Sequence, residues 1–165
     1  MISARLDRGQ GHLFRALLCS VHEEELAMYS RILVPVDLEH VDKLTKALEL
    51  AGKTAKQHGA TLVYVDVVDA IPTTSPLPVG HSVADRLRKF AEAQARAYGI
   101  SVDECVTLRS DLRINVGSDV VKAAEDEGCD LIIMASHIPG IKDHFLISNA
   151  GYVAAHAPIS VFVIR

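Results

Sequence analysis

The sequence predicts an α/β protein in which five strands form a mostly parallel sheet with helices on both faces. Strand-like and helix-like segments alternate in the order βαβαβαβαβ, which is typical of parallel sheets with right-handed crossovers. Residues 32–36 and 131–134 are apolar throughout, as expected for strands buried on both faces. The length of 165 residues and the 49% hydrophobic content fit one domain with a sizeable core.

The first strand and the first helix are predicted within residues 31–58. Residues 31–37 read RILVPVD, a β-branched apolar run that ends in the carboxylate of Asp37 and indicates a central strand. Residues 41–58 are predicted to be helical because their apolar residues recur at the spacing of one buried face. These apolar residues are Leu44, Ala47, Leu48 and Ala51.

The middle of the chain continues the alternation. Residues 61–68 are predicted as a second strand, too continuously apolar for an exposed edge. Residues 69–80 contain three prolines and are predicted as a loop. Ser82 can cap a helix that runs through Tyr98, and residues 106–108 are predicted as a short third strand.

The last part of the chain supplies the candidate ligand-binding loop. A helix is predicted over residues 117–127 and a fourth strand over residues 131–134. After a polar loop, Ser148 and Asn149 are predicted to open and cap the last helix, and residues 161–164 form the closing strand. A buried strand that leads through a loop to a helix N-terminus is where α/β proteins hold anionic ligands.

The composition excludes several functional classes. The formal net charge of −4 and the absence of a basic run argue against a nucleic-acid-binding surface. No apolar segment reaches the ~20 residues of a membrane-spanning helix. The three cysteines are odd in number and lack CxxC spacing, so neither a disulfide framework nor a zinc site is indicated. We infer a cytoplasmic protein with a small molecule or another protein as its partner.

Residues 1–27 are predicted to be an N-terminal extension of a domain that spans residues 28–165. They carry mixed charge and only a short helix-like pattern. Arg15 interrupts the apolar stretch of residues 13–19, which therefore lacks the features of an export signal. Two interpretations stay open: Met28 begins the functional protein, or the extension is a frayed helix that packs on a partner.

Three motifs carry a resemblance to the universal stress protein family. They are ILVPVD at residues 32–37, the Gly-Ser pair at residues 117–118, and the closing region from SNA at residue 148 to HAPISVFVIR at residues 156–165. The resemblance spans residues 28–165. It implies the adenine nucleotide alpha hydrolase-like fold, a three-layer α/β/α sandwich with strand order 3-2-1-4-5, and a role in the stress response.

The resemblance also implies a site for ATP or AMP. In nucleotide-binding members the aspartate that closes the first strand contacts the adenosine moiety, and Asp37 occupies that position; the alternative role for Asp37 is a plain cap at the strand end. Pro35, Val36 and Val67 would form apolar walls for the base. The candidate residues for the phosphate loop and the helix N-terminus are Ala135, Ser136, His137, Ser148, Asn149 and Ala150.

The phosphate loop departs from the family pattern at its three glycine positions. Glycines let backbone N–H groups approach phosphate oxygens closely, whereas this chain has Ala135, Ile138 and Ile147 there. A β-branched side chain disfavours positive φ and fills space that a phosphate needs. Two functions stay open: nucleotide binding weakened by a degenerate loop, or a protein-interaction module whose pocket is closed.

Catalytic and metal chemistry are not predicted. His137, Asp143 and His144 lack metal-ligand spacing and are interpreted as solvated loop residues. No serine or cysteine shows the nearby base and orienting group of a nucleophile. We therefore predict neither a metal site nor an enzyme.

The closing strand is the predicted dimer interface. It is apolar throughout and would lie at the edge of the sheet, where an exposed apolar strand invites pairing with a second copy. The family resemblance likewise implies dimers joined through this strand. The predicted interface residues are Val161, Phe162, Val163 and Ile164.

Overall fold

The structure is a computed structural model that describes residues 27–69, 82–110, 116–136 and 146–165, without the side chains of residues 67–69, 104, 109–110 and 146–148. The predictions for the N-terminal extension and most of the proline-rich loop fall outside the described residues. The same holds for the middle of the phosphate loop.

Five strands and four α-helices alternate along the described chain. The strands are β1 (Arg31–Val36), β2 (Thr61–Asp69), β3 (Ser101–Ser110), β4 (Leu131–Ala135) and β5 (Ser160–Ile164). The helices are α1 (Thr45–His58), α2 (Val83–Tyr98), α3 (Val116–Asp126) and α4 (Leu146–His156). A 3-10 turn, Val41–Leu44, precedes α1.

All five strands lie in one parallel sheet in the order β3-β2-β1-β4-β5. The predicted fold class, sheet and strand order are confirmed. From the central β1 the chain first moves outward to β3 and then crosses to β4 and β5 on the other side. Right-handed crossovers place α1 and α2 on one face and α3 and α4 on the other, and the two helices of each pair contact each other.

The core lies on both faces of the three central strands. Ile32 and Leu33 of β1, with Leu131 and Ile132 of β4, are completely buried. The predicted inner face of α1 is confirmed, since Ala47, Leu48 and Ala51 are buried with Leu44 of the preceding turn. Burial of such side chains supplies most of the folding free energy, at roughly 25 cal/mol per Å² of apolar surface.

Local sequence signals fix the ends of the helices. Ser82 caps α2 in a reciprocal pair with Asp85: the Ser82 hydroxyl accepts from the Asp85 N–H at 3.1 Å, and the Asp85 carboxylate accepts from the Ser82 N–H at 3.3 Å. Gly59 ends α1 in the left-handed conformation, with φ of 63°. The predicted cap at Ser82 is confirmed.

Three elements differ from the predictions by more than one residue or in their type. β3 spans ten residues rather than residues 106–108, because pairing with β2 stabilises an edge strand whose polar residues hide the strand pattern. The predicted first helix divides into a 3-10 turn and α1. α4 begins at Leu146, so the prediction that Ser148 and Asn149 cap it is wrong, and both residues lie inside its first turns.

The amino end of the sheet is held by a network around Asp130. The Asp130 carboxylate accepts hydrogen bonds from the backbone N–H of Ser30 at 2.7 Å, the Ser30 hydroxyl at 2.6 Å and the backbone N–H of Arg31 at 3.1 Å. The Arg31 guanidinium contacts Asp103 of β3 and donates to Glu127 at 3.1 Å. The network therefore connects the start of β1 with β3 and with the segments before β4.

Candidate functional site

The candidate site lies at the carboxyl end of the sheet, where β1 and β4 are neighbours. Ile32 pairs with Leu131 and Leu33 with Ile132. Continuing this register along both strands places Asp37 level with Ser136. In open α/β sheets, ligands bind in the crevice outside the carboxyl ends of the strands where the strand order reverses. The two predicted ligand-binding segments therefore leave the sheet at the same place.

Asp37 organises a tight turn directly after β1. Its Oδ1 accepts a hydrogen bond from the backbone N–H of Glu39 at 2.9 Å, and its Oδ2 lies 2.9 Å from Nδ1 of His40. The backbone N–H of His40 donates to the Asp37 carbonyl oxygen at 3.1 Å. The predicted capping role is thus present. The side chain remains 25% exposed, and a contact with a ligand stays a prediction.

Two of the residues predicted to form an apolar wall for the base are buried strand residues. Pro35 and Val36 are buried at the end of β1, and Pro35 has no N–H to donate across the sheet. Ala135, at the end of β4, is 8% exposed. The side chain of Val67 is outside the described part of the structure, so its predicted contact with a base stays a prediction.

Ser136 combines burial with an unsatisfied hydroxyl. The residue is 9% exposed and its backbone N–H donates to the Ile164 carbonyl oxygen at 2.8 Å. Its Oγ is buried and has no hydrogen-bond partner among the described residues. A buried polar group in this state costs ~1–3 kcal/mol, and a functional site is one explanation for tolerating that cost.

Asn149 connects the two helices on its face of the sheet. Its Oδ1 accepts a hydrogen bond from the backbone N–H of Gly117 at 3.2 Å. A Cβ at Gly117 would lie 2.8 Å from the Tyr152 ring, so glycine permits α3 and α4 to approach closely. Ala150 is buried at 2% exposure. The Gly-Ser motif and Asn149 therefore have a packing role that exists without any ligand.

Asp66 is a buried carboxylate beside Val36 that the sequence interpretation missed. It lies in β2 with Val36 and Thr107 as its register partners, and it is 5% exposed. Burial and the nearby charge of Asp37 raise the pKa of Asp66 to about 6, although Arg86 acts in the opposite direction. A lone carboxylate within an apolar strand was the sequence signal that could have indicated it.

The remaining predicted residues are less defined. His137, Asp143 and His144 lie outside the described residues, and for Ser148 only the backbone is described. Within the described ranges, no group of three or more His, Cys, Asp or Glu side chains could hold a metal ion.

A groove of about 240 Å³ lies between β3 and α3. It is lined by Val106, Leu108 and Asp119 among others, and none of the predicted ligand residues lines it.

The topology defines a doubly wound α/β protein whose strand order reverses at the carboxyl ends of β1 and β4. Residues 28–165 match the model of the universal stress protein family. The chain is 30% identical over 149 residues to a universal stress protein of Methanothermobacter thermautotrophicus, covering 85% of this chain and 98% of the relative. It is 28% identical over 148 residues to universal stress protein G of Shigella flexneri, covering 84% of this chain and all of that protein. This chain belongs to the universal stress protein family.

Solved structures agree with this assignment. A universal stress protein family member from Burkholderia pseudomallei has a TM-score of 0.58 at 28% identity, covering 84% of this chain and 97% of that one. A universal stress protein in complex with cAMP has a TM-score of 0.59 at 20% identity, covering 83% and 97% of the two chains. The protein from Archaeoglobus fulgidus in complex with dAMP has a TM-score of 0.55 at 20% identity, covering 84% and 99%. The likeness to these two complexes shows a shared fold.

Within the described residues, no helix combines the length and apolar character that crossing a membrane requires.

Proposed function

We propose that this universal stress protein acts in the stress response by binding an adenine nucleotide, ATP or AMP, in the crevice between β1 and β4. In this proposal the protein works in the cytoplasm as a homodimer and binds its ligand without catalysing a reaction. The observation that carries the proposal is the buried Ser136 hydroxyl, which has no partner among the described residues and lies level with Asp37.

The chemistry of a nucleotide suits these two groups. A nucleotide offers hydroxyl and amino donors for the Asp37 carboxylate, and phosphate or ribose oxygens as acceptors for the Ser136 hydroxyl. Two proteins that share the fold were solved with cAMP and with dAMP. The free N–H groups at the start of α4 would add an electrostatic preference for an anion.

Calorimetric titration with ATP, ADP and AMP tests this proposal. We expect the wild-type chain to bind weakly, and Ser136→Ala to weaken binding by roughly five- to tenfold, the loss of one hydrogen bond. Ser160→Ala is the matched control, because Ser160 is exposed at the opposite end of the sheet. Equal affinities of Ser136→Ala and wild type would contradict a ligand contact at Ser136.

The second candidate function is a protein-interaction module that binds no nucleotide. It is favoured by the position of Ile147 within the first turn of α4, where the family pattern has glycine, and by the Asn149 oxygen already bonded to Gly117. In this case the wild-type chain does not bind nucleotide, and Ile147→Gly restores binding. Tight nucleotide binding by the wild-type chain would refute the interpretation that the pocket is closed.

The proposed dimer forms through β5. In the five-stranded sheet β5 pairs with β4 along one edge and ends the strand order, and no strand of the described residues pairs with its other edge. Val163 is 36% exposed, and the other three apolar residues of β5 are half-buried. The Phe162 ring packs edge-on against Tyr29, with centroids 5.9 Å apart. Val163 is therefore the apolar side chain of β5 that a second copy would cover most directly.

Light scattering at micromolar concentration tests the dimer. Val163→Asp should convert a dimer to a monomer, because a carboxylate would lose its hydration at the interface. Ala84→Asp, at an exposed position of α2, is the control and should leave the mass unchanged. A charge at Phe162 is a poorer test since it also disrupts the Tyr29 contact. A monomeric wild type would overturn the proposal.

A further inference from the structure

The groove between β3 and α3 has an apolar floor. Val106 and Leu108 line it together with Ala123 of α3, and residues two apart on a strand lie on one face. Val106 and Leu108 are only partly buried, whereas Ala123 is 5% exposed. At about 240 Å³ the groove is smaller than the ~300–1,000 Å³ of most small-molecule pockets. Its size and floor therefore suit apolar side chains of a chain segment.

The rim of the groove is acidic. Asp119, Asp126 and Glu127 line it, and Lys122 is the cation among the lining residues. Glu127 is paired with Arg31 at 3.1 Å, but within the described part of the chain Asp119 and Asp126 have no ion pair. Asp126 is the last residue of α3, where a negative charge opposes the helix dipole. The rim therefore complements a segment that carries positive charge.

The chain enters the fold beside the acidic end of this groove. Arg31, the first residue of β1, donates to Glu127 on the rim. Residue 27, the first that the structure describes, is four positions before Arg31. The residues that precede it therefore start close to the groove.

The preceding residues are also long enough to follow the groove along α3. The 11 residues of α3 extend over ~16 Å. Nine extended residues, the separation of residue 18 from residue 27, span up to ~30 Å. Residues 18 and below can therefore reach any part of the groove.

Residues 5–18 have a composition that matches the groove. They contain Arg5, Arg8 and Arg15 against the one carboxylate of Asp7. Residues 13–18 read LFRALL, an apolar stretch that only Arg15 interrupts. The acidic residues 23–25 have the wrong charge for the rim and lie between this stretch and residue 27. The part of the extension that fits the groove is therefore residues 5–18.

We propose that residues 5–18 bind in the groove of their own chain, with the apolar side chains of residues 13–18 on Val106 and Leu108 and the arginines beside Asp119 and Asp126. The place where the chain enters, the opposite charges and the two apolar surfaces support this occupant. A segment bound there flanks β3, which ends the strand order. Covering an edge strand limits its pairing with other chains, so pairing between copies would be directed to β5.

Trypsin cleavage of the full chain after Arg15 tests the proposal, because a protease cuts a bound segment only while it is released. Asp126→Lys reverses a charge on the rim and should make this cleavage roughly three- to tenfold faster than in wild type. Glu92→Lys is the matched control. It reverses an exposed carboxylate of α2 outside the groove and should leave the rate unchanged. Mass spectrometry identifies the bond that is cut.

The design separates release of the segment from unfolding. A lysine at the carboxyl end of α3 favours the helix dipole, so Asp126→Lys should not destabilise that helix. Fluorescence of Phe14→Trp gives a second measurement, since the chain contains no tryptophan. Quenching of the indole by acrylamide should increase when Asp126→Lys is added, and when salt at about 0.5 M screens the charges.

The expected result is protection of Arg15 in wild type and in Glu92→Lys, at every protein concentration, and its loss in Asp126→Lys. Equal cleavage rates in wild type and Asp126→Lys would overturn the proposal, as would an indole that acrylamide quenches equally with and without Asp126→Lys. Protection that increases with protein concentration would place the segment on a second copy and overturn the intramolecular contact.

Discussion

The two ends of the parallel sheet differ in how they satisfy their carboxylates. At the amino end, burial alone would raise the pKa of Asp130, but hydrogen bonds from Ser30 and Arg31 lower it below its ordinary value. At the carboxyl end, burial and Asp37 raise the pKa of Asp66 to about 6. One carboxylate is stabilised as an anion and the other is destabilised. The amino end thus stabilises the fold, while the carboxyl end keeps polar groups that a ligand could use.

The hydroxyl groups at the two ends of the sheet differ in the same way as the carboxylates. The Ser30 hydroxyl at the amino end donates to Asp130 at 2.6 Å, whereas the Ser136 hydroxyl and that of Thr107 are buried without a partner among the described residues. Arg31 is an exception at the amino end, because its Nε is buried and unbonded within the same part of the chain. An unsatisfied buried polar group in a native protein calls for an explanation, and a functional role is one of those that apply.

Asp130→Ala is expected to have the largest effect on stability. It removes the acceptor of three hydrogen bonds, and we expect a loss of about 3 kcal/mol in the free energy of unfolding, since bonds to a charged group contribute ~1.5–3 kcal/mol each and these are partly open to solvent. Urea denaturation at pH 7 measures the change.

The control for Asp130→Ala is Glu92→Ala. Glu92 is exposed and its carboxylate is 3.9 Å from Arg96, so its loss should cost less than about 0.5 kcal/mol. A loss at Asp130 as small as this would show that the amino-end network does not stabilise the fold, and the contrast between the two ends would fail.

Much of the fold could be predicted because its signals are local. Gly59 and Ser82 end and begin helices where the sequence indicates, and the apolar residues 32–36 are buried together in the central strand. The length of β3 was underestimated because an edge strand depends on hydrogen bonds to β2, and these bonds leave no pattern in the residues of β3 itself. The start of α4 was misplaced because Ser148 is a good cap by type, while tertiary packing begins the helix at Leu146.

The candidate site was less predictable than the fold. Asp37 and Ser136 could be placed together because each directly follows a parallel strand, and such strands end at one edge. Asp66 could not be recognised in this way, because strand periodicity indicates the face on which a side chain lies but not how deeply the neighbouring segments bury it. Asn149 was predicted as a ligand group, whereas its bond to Gly117 arises from the approach of two helices.

Asp66→Asn should change stability by a smaller amount that depends on pH. The folded-state pKa of Asp66, about 6, lies above its ordinary value of 3.8. The wild-type contribution to stability is therefore fully present below pH ~4 and is lost as the pH rises through ~6. Asp66→Asn removes this dependence, so above pH ~6.5 we expect it to be more stable than wild type by about 2 kcal/mol.

Urea denaturation of both proteins at pH 4.5, 5.5, 6.5 and 7.5 measures this difference. Asp130→Asn is the comparison variant. Because the folded-state pKa of Asp130 is lowered below its ordinary value, its contribution to stability is lost only below pH ~4, so the difference between wild type and Asp130→Asn should stay constant from pH 4.5 to 7.5. Equal pH profiles for wild type and Asp66→Asn would mean that Asp66 is solvated like a surface carboxylate. The carboxyl end of the sheet would then carry no uncompensated charge, and the contrast between the two ends would disappear.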